Sequence, residues 1–93
     1  VGTHTHVPTN DGRVLSKGTA YLTDAGMCGD YNSVIGMNAE NSINRFYKRD
    51  SIKHFPAEGE ASLCGAIIEA NPKNGLALNI SQFIFGGQLQ KDN

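Results

Sequence analysis

Short apolar runs, each bounded by glycine, proline or asparagine, constrain the fold of this chain more than any other feature of its sequence. No run approaches the ~18 consecutive apolar residues of a membrane-spanning helix. Chain-breaking residues at this frequency end an element after a few residues. The sequence therefore predicts short strands and loops, organised mostly as β hairpins with one helix.

The first hairpin is predicted from the chemistry of its loop. Residues 13–15 and 19–24 flank a short connection that ends in Gly18, where a hairpin bulge requires a left-handed backbone. Just before this hairpin, residues 8–12 read PTNDG and predict a turn. We expect the positive backbone angles of that turn to fall at residues 10–12.

A second hairpin is predicted near the end of the chain. Residues 62–70 and 76–85 are apolar and rich in strand-forming residues, and the proline-containing sequence of residues 71–75 favours a turn between them. Along residues 76–81, leucine and isoleucine alternate with alanine, asparagine and serine. This alternation predicts a strand that is half exposed, or only weakly covered on its second face.

One helix is predicted between the hairpins. Asn38 is a suitable N-cap for a helix that runs to about Arg49, and Glu40 favours its first turn. The apolar face of this helix would carry Ile43, Phe46 and Tyr47. Before the helix, residues 25–37 are rich in glycine and lack a clear periodicity, so we expect an extended loop that lines a site.

Composition excludes several classes of protein. The chain has 8 Lys plus Arg against 9 Asp plus Glu, with no basic cluster that could follow a nucleic-acid backbone. We expect a cytoplasmic protein without a membrane partner.

Cys28 and Cys64 fit no zinc-binding spacing and are predicted to be reduced, partly buried thiols. The chain starts at Val1 without a methionine, which indicates a piece of a longer protein.

The histidines at the start of the chain are the strongest candidates for a functional site. If residues 1–6 end a strand, His4 and His6 project to one face, roughly 6.5–7 Å apart. They could bind one ion together, or each could bind a different ion of a two-metal centre. Gly2 favours this reading, because a residue without a side chain lets a backbone or an ion approach closely. The alternative is that both histidines simply face water, as we expect for His54 in its polar loop.

The residues GTHTHVPT, followed by GTAYLTDAGM, Tyr31 and SVIGM, resemble the C-terminal signature of the YmdB-like metallophosphoesterases within the calcineurin-like superfamily. Cys28, Asp30 and Asn32 depart from this signature, since we expect Thr, Pro and Asp there. The resemblance implies an α/β fold, a sandwich of two mixed sheets flanked by helices. Residues 1–93 would be the C-terminal part of a single metallophosphoesterase domain, with its N-terminal part absent here.

The resemblance also implies a function. The family hydrolyses 2',3'-cyclic nucleotides or related phosphodiesters with metal-activated hydroxide, using two divalent metal ions for which Fe, Mn or Zn is expected. His4 and His6 would be metal ligands, one to each ion, and no catalytic residue is assigned to this chain. We expect a homo-oligomer with a small cyclic nucleotide as its substrate, and a 93-residue chain that is inactive alone. Asp24 could orient a ligating imidazole, or it could serve at a strand end or in a turn.

A different class of function stays open at this point. The chain could be a non-catalytic, β-rich binding or assembly module whose HxH sequence is incidental or binds a single ion.

Overall fold

The computed structural model describes residues 1–46 and 55–90. Its elements are β1 (Arg13–Val14), β2 (Ala20–Tyr21), α1 (Ala39–Phe46), β3 (Leu63–Ala70) and β4 (Ala77–Phe85). Strand β1 pairs with β2 and β3 pairs with β4, each pair forming a two-stranded sheet. The described chain is thus mostly strand and loop with little helix, as the short apolar runs predict. Among the described residues, no helix has the length and apolar character needed to cross a membrane.

The chain divides into two compact units. The first consists of Val1–Met27 and Cys64–Ile84, and the second contains the remaining described residues. The first unit contains both hairpin turns. It also contains the histidine pair, which is the candidate site.

The first hairpin forms around the predicted glycine. Arg13 pairs with Tyr21 across the antiparallel strands, and the Arg13 guanidinium lies 4.9 Å from the centre of the Tyr21 ring. The Leu15 amide donates to the Thr19 carbonyl at 2.8 Å, and Gly18 has a φ of 90°. A positive φ is available to glycine without a steric penalty, which is why the chain reverses here. The hairpin prediction is confirmed, although its paired strands are shorter than expected.

The second hairpin also follows its sequence signals. The Asn71 amide donates to the Leu76 carbonyl at 2.8 Å, and the Asn71 side chain accepts from the Lys73 amide at 2.8 Å. Gly75 supplies the positive φ of 73° that closes the turn. Since the connection is too short for a crossover, β3 and β4 are antiparallel. This prediction is confirmed within one residue at each boundary.

The β3–β4 hairpin exposes apolar side chains on both of its faces. Ile67 and Ile68 are 57% and 45% exposed, and consecutive strand residues point to opposite faces. On β4, Leu78 is 63% exposed, so the predicted weak covering of this strand is confirmed. Among the described residues, the buried apolar side chains are Leu22, Ala25 and Cys64. The other cysteine, Cys28, is exposed, so only Cys64 fits the prediction of a buried thiol.

Two local predictions for the start of the chain are wrong. Residues 1–6 do not form a strand, because the backbone amides of His4 and Thr5 bond to a side-chain carboxylate instead of a neighbouring strand. Residues 10–12 do not adopt positive φ angles either, and the positive φ lies earlier, at His6, with a value of 69°. At the start of the chain, the positive φ thus falls beside Thr5, whose amide bonds to the Asp24 side chain, and not where turn-forming residues are densest.

In the second unit, the glycine-rich loop is irregular, as predicted, and contains a tight two-residue turn. Val34 and Met37 exchange backbone hydrogen bonds of 3.0 and 2.9 Å. Between them, Ile35 and Gly36 have φ angles of 47° and 90°, the signs of a type I′ turn. A β-branched residue rarely adopts a positive φ, so no pattern in the sequence indicated this turn.

Helix α1 starts where the sequence places its cap. The Ser42 amide donates to the Asn38 carbonyl at 3.0 Å, and Glu40 lies in the first turn, where a negative charge is favourable. Ile43, on the expected apolar face, is 52% exposed. The predicted continuation beyond Phe46 and the loop with His54 lie outside the described residues.

Buried polar side chains organise the second unit. Asp30 is 8% exposed and accepts from the Asn32 amide at 2.8 Å and the Gly59 amide at 3.0 Å. Ser62 is 1% exposed and donates to the Gly86 carbonyl at 2.7 Å. Asp30 thus has a structural task that the proline expected from the resemblance could not perform, because proline has no side-chain acceptor.

Candidate metal centre

The structure brings the predicted histidine pair to one cavity. This cavity has a volume of about 210 Å³ and is lined by Thr3, His4, His6, Asp24, Gly26 and Met27. Both imidazole-bearing residues are exposed, so they are accessible from solvent. All of the lining residues come from the N-terminal segment or from the segment after β2, which run side by side.

Asp24 holds residues 4–6, the histidine segment, in place. Its Oδ2 accepts from the His4 amide at 2.8 Å, from the Thr5 amide at 2.6 Å and from the Thr5 hydroxyl at 2.8 Å. Its Oδ1 accepts from the Gly26 amide at 2.9 Å. Asp24 is 1% exposed, and a carboxylate can be buried at so little solvent contact only when its oxygens are bonded in this way.

These hydrogen bonds also fix the charge of the site. The Thr5 backbone amide, followed by the Gly26 amide and the Thr5 hydroxyl, holds the pKa of Asp24 far below its ordinary value, against the opposing effect of burial. The Asp24 carboxylate is therefore ionised at neutral pH. A fixed negative charge at the wall of the cavity favours the binding of cations there.

A second carboxylate supports the segment that carries Asp24. Asp11 accepts from the Thr23 hydroxyl, from the Thr23 amide at 3.1 Å and from the Thr9 hydroxyl at 2.7 Å. These bonds lower the pKa of Asp11 to about 2, and the bond from the Thr23 hydroxyl has the largest effect. The Thr9 amide in turn donates to the Asp24 carbonyl at 3.0 Å. Asp11 lines no part of the cavity, and its bonds connect Thr9 to Thr23, the residue before Asp24.

Gly2 allows the two segments to approach closely. Its amide donates to the Leu22 carbonyl at 3.0 Å, and its carbonyl accepts from the Ala25 amide at 2.9 Å. A Cβ atom at this position would lie 2.2 Å from the Thr23 carbonyl oxygen. The expectation that Gly2 permits a close backbone approach is confirmed, and the approaching group is the Thr23 carbonyl.

We expect Gly2→Ala to lower the free energy of unfolding by about 1–3 kcal/mol, because the new methyl group meets a backbone oxygen that cannot rotate away. Thermal or denaturant unfolding of the whole protein measures this loss. The matched control is Gly65→Ala in β3, where an added Cβ has no neighbour within 4 Å. Equal stability of the two variants would show that the two segments are not packed as the structure has them.

The strand geometry inferred for the histidine pair is wrong, although the pair is brought together. With a φ of 69° at His6, the backbone between His4 and His6 is bent and does not present them as alternate residues of a strand. Of the alternatives for Asp24, the turn role has direct support, because Asp24 Oδ1 accepts from the Gly26 amide two residues later. Strand β2 ends before Asp24, at Tyr21. The bonds of Asp24 to His4 and Thr5 run to backbone amides.

Residues 1–83 match the model of a protein family described as YmdB-like protein. The chain belongs to the YmdB-like family. It is 43% identical over 84 residues to the 2',3'-cyclic-nucleotide 2'-phosphodiesterase of Bacillus subtilis, an alignment that covers 90% of this chain and 32% of that protein. The YmdB-like chain thus spans about a third of the length of this relative.

Solved structures agree with this assignment. The chain resembles the crystal structure of a novel phosphatase from Mycoplasma pneumoniae, with a TM-score of 0.82 and 37% identity over 91% of this chain and 31% of that one. A hypothetical protein from Thermus thermophilus is similar to the same extent, with a TM-score of 0.81 and 37% identity over 92% of this chain and 33% of that one. The fold of this YmdB-like chain is therefore that of a segment of a phosphatase structure.

The donor chemistry of the YmdB-like cavity fits part of a metal centre. Imidazole nitrogen is a common ligand for Fe, Mn and Zn, and His4 and His6 offer two such groups at one cavity. Across residues 1–46 and 55–90, no group of three or more His, Cys, Asp and Glu residues gathers in a metal-binding arrangement. The pair can therefore contribute ligands to a centre but does not by itself build one.

Gly26 and Met27 line the cavity, as expected for the start of the loop of residues 25–37. Sequence reasoning missed Thr3, which also lines the cavity, and Thr5, which anchors the histidine segment to Asp24. The available signal was the position of both threonines inside the block GTHTHVPT.

Proposed function

We propose that the whole protein is a metal-dependent phosphodiesterase that hydrolyses 2',3'-cyclic nucleotides or related phosphodiesters, and that this chain contributes His4 and His6 as metal ligands. The observation that carries the proposal is that both histidines line one cavity beside an ionised, buried carboxylate. Membership of the YmdB-like family and 43% identity to a 2',3'-cyclic-nucleotide 2'-phosphodiesterase support the reaction class.

In this proposal, His4 and His6 each hold one of two divalent ions, for which Fe, Mn or Zn is the expected identity. When bound, the two ions supply Lewis acidity at phosphorus and activate the attacking water. The task of this chain is to hold two imidazoles in place at the cavity and to set a negative charge beside them. We assign no proton-transfer residue to this chain.

We further propose that the chain is the C-terminal part of a single metallophosphoesterase domain with a two-sheet sandwich flanked by helices. The apolar side chains exposed on both faces of the β3–β4 hairpin support this, because an isolated two-stranded hairpin is marginal in water and needs more sheet or helix to pack against. A homo-oligomeric state and a cytoplasmic location stay predictions from the sequence.

The reaction is tested on the purified whole protein with 2',3'-cyclic AMP as the substrate. We expect turnover that is lost after treatment with a chelator and restored by adding Mn²⁺ or Zn²⁺, because the metal-binding side chains cannot activate water without the ions. Elemental analysis of the untreated protein should give two divalent ions per chain. A protein without turnover that holds one ion or none would instead be the non-catalytic binding module.

A further inference from the structure

The histidine segment has an unusual backbone that something must hold. His6 adopts a φ of 69°, a left-handed conformation that is uncommon for any residue other than glycine. Such a conformation persists only where the surrounding structure determines it. The segment lies outside every named strand, so ladder hydrogen bonds do not supply this constraint.

Asp24, which bonds the histidine segment, is itself held in place by hydrogen bonds of its backbone. The Asp24 amide donates to the Thr9 hydroxyl at 2.9 Å, and the Asp24 carbonyl accepts from the Thr9 amide at 3.0 Å. The neighbouring side chain of Leu22 is 1% exposed, so the backbone before Asp24 is tied to the small core. A carboxylate held in this way can position whatever its oxygens bind.

The contacts of Asp24 suit positioning better than metal ligation. Oδ2 already accepts three hydrogen bonds, from the His4 amide, the Thr5 amide and the Thr5 hydroxyl. A carboxylate oxygen has about two lone-pair sites, so this oxygen has no capacity left for an ion. The remaining oxygen accepts from the Gly26 amide.

Thr5 extends the constraint beyond the first histidine. Its hydroxyl donates to Asp24 Oδ2 at 2.8 Å, and the same oxygen accepts from the Val7 amide at 3.4 Å. The bonds of Thr5 therefore fix the backbone on both sides of His6. A threonine between the two histidines directs its own side chain to Asp24, while the histidines line the cavity.

We propose that Asp24, acting through the backbone amides of His4 and Thr5 and through the Thr5 hydroxyl, is the positioning residue that pre-forms the histidine segment for metal binding. This inference rests on the proposed role of His4 and His6 as metal ligands. Metal-ligating histidines are commonly oriented by carboxylates that bond their rings. Here the carboxylate orients the main chain that carries the rings.

The test uses the Asp24→Asn variant of the whole protein. An amide has the shape of a carboxylate but replaces one acceptor oxygen with a donor, so in either orientation an N–H group faces the Gly26 amide or the amides of the histidine segment. We expect the dissociation constant for Mn²⁺ or Zn²⁺ to rise about 10–100-fold in calorimetry, the usual effect of removing a group that orients metal ligands.

Hydrogen exchange of the metal-free protein provides a second readout that does not depend on activity or on bound metal. In Asp24→Asn, we expect the amides of His4 and Thr5 to exchange about tenfold faster or more, because a charge-assisted hydrogen bond protects each of them. The matched control is Asp11→Asn, which removes the same charge from a carboxylate that bonds Thr9 and Thr23 but does not touch the histidine segment. Asp11→Asn acts on Asp24 only through Thr9 and Thr23, so it should lower the melting temperature and weaken metal binding less than Asp24→Asn does.

Thr5 variants keep the test decisive if Asp24→Asn fails to fold. Thr5→Val, which removes the hydroxyl, should weaken metal binding, whereas Thr5→Ser, which keeps it, should bind as the unchanged protein does. Unchanged metal affinity and unchanged exchange in both Asp24→Asn and Thr5→Val would overturn the positioning role. The exchange result stands apart from the proposed function, which fails if His4→Ala and His6→Ala keep their metal.

Discussion

Replacing His4 or His6 with alanine in the whole protein is expected to remove at least one divalent ion per chain and most of the phosphodiesterase activity. Loss of an imidazole leaves an ion short of a ligand and of a fixed geometry. The effect should exceed the ~10–100-fold loss that follows removal of a group which only orients a ligand. Elemental analysis and turnover of 2',3'-cyclic AMP measure the two losses.

The matched control for this experiment is His54→Ala. His54 lies in a polar stretch of the sequence with no metal-binding partner nearby in sequence, so metal content and turnover should stay unchanged. A His4→Ala protein with two ions per chain and near-native turnover would contradict the ligand assignment. The circular dichroism of each variant would establish that an altered metal content does not come from unfolding.

The second large effect concerns the 93-residue chain on its own, which we expect to show no measurable turnover and only weak metal binding. A two-metal centre needs several ligands for each ion, and the described residues bring two histidines to the cavity without a cluster of three or more metal-binding side chains. Calorimetry with Mn²⁺ or Zn²⁺ and a turnover assay on the purified chain are the measurements.

We also expect this isolated chain to self-associate, because Ile67, Leu78 and other apolar side chains of the β3–β4 hairpin are exposed. The double variant Ile67→Thr, Leu78→Thr places a more polar, β-branched residue at each position and should shift sedimentation towards the monomer. Tight binding of two ions by a monodisperse 93-residue chain would show that the site is complete within it.

Local chemistry explains which parts of the fold could be predicted. Gly18 and Gly75 provide the positive φ angles of the two hairpin turns, and Asn38 precedes the first residue of α1. Each signal acts on residues within a few positions of itself, so a pattern in the sequence carries it completely. The histidine pair was also visible in the sequence, because the types and spacing of its residues belong to a recognisable family motif.

The path of the chain through the candidate site was decided only by tertiary structure. The bond from the His4 amide to Asp24 spans 20 residues, and Gly2 is fixed by contacts with residues of the same distant segment. The sequence by itself determined the two hairpin turns, the start of the helix, the family and the candidate ligands. It could not determine that residues 1–6 leave the strand conformation, since the amides of His4 and Thr5 bond to a buried carboxylate far along the chain and not to a neighbouring strand.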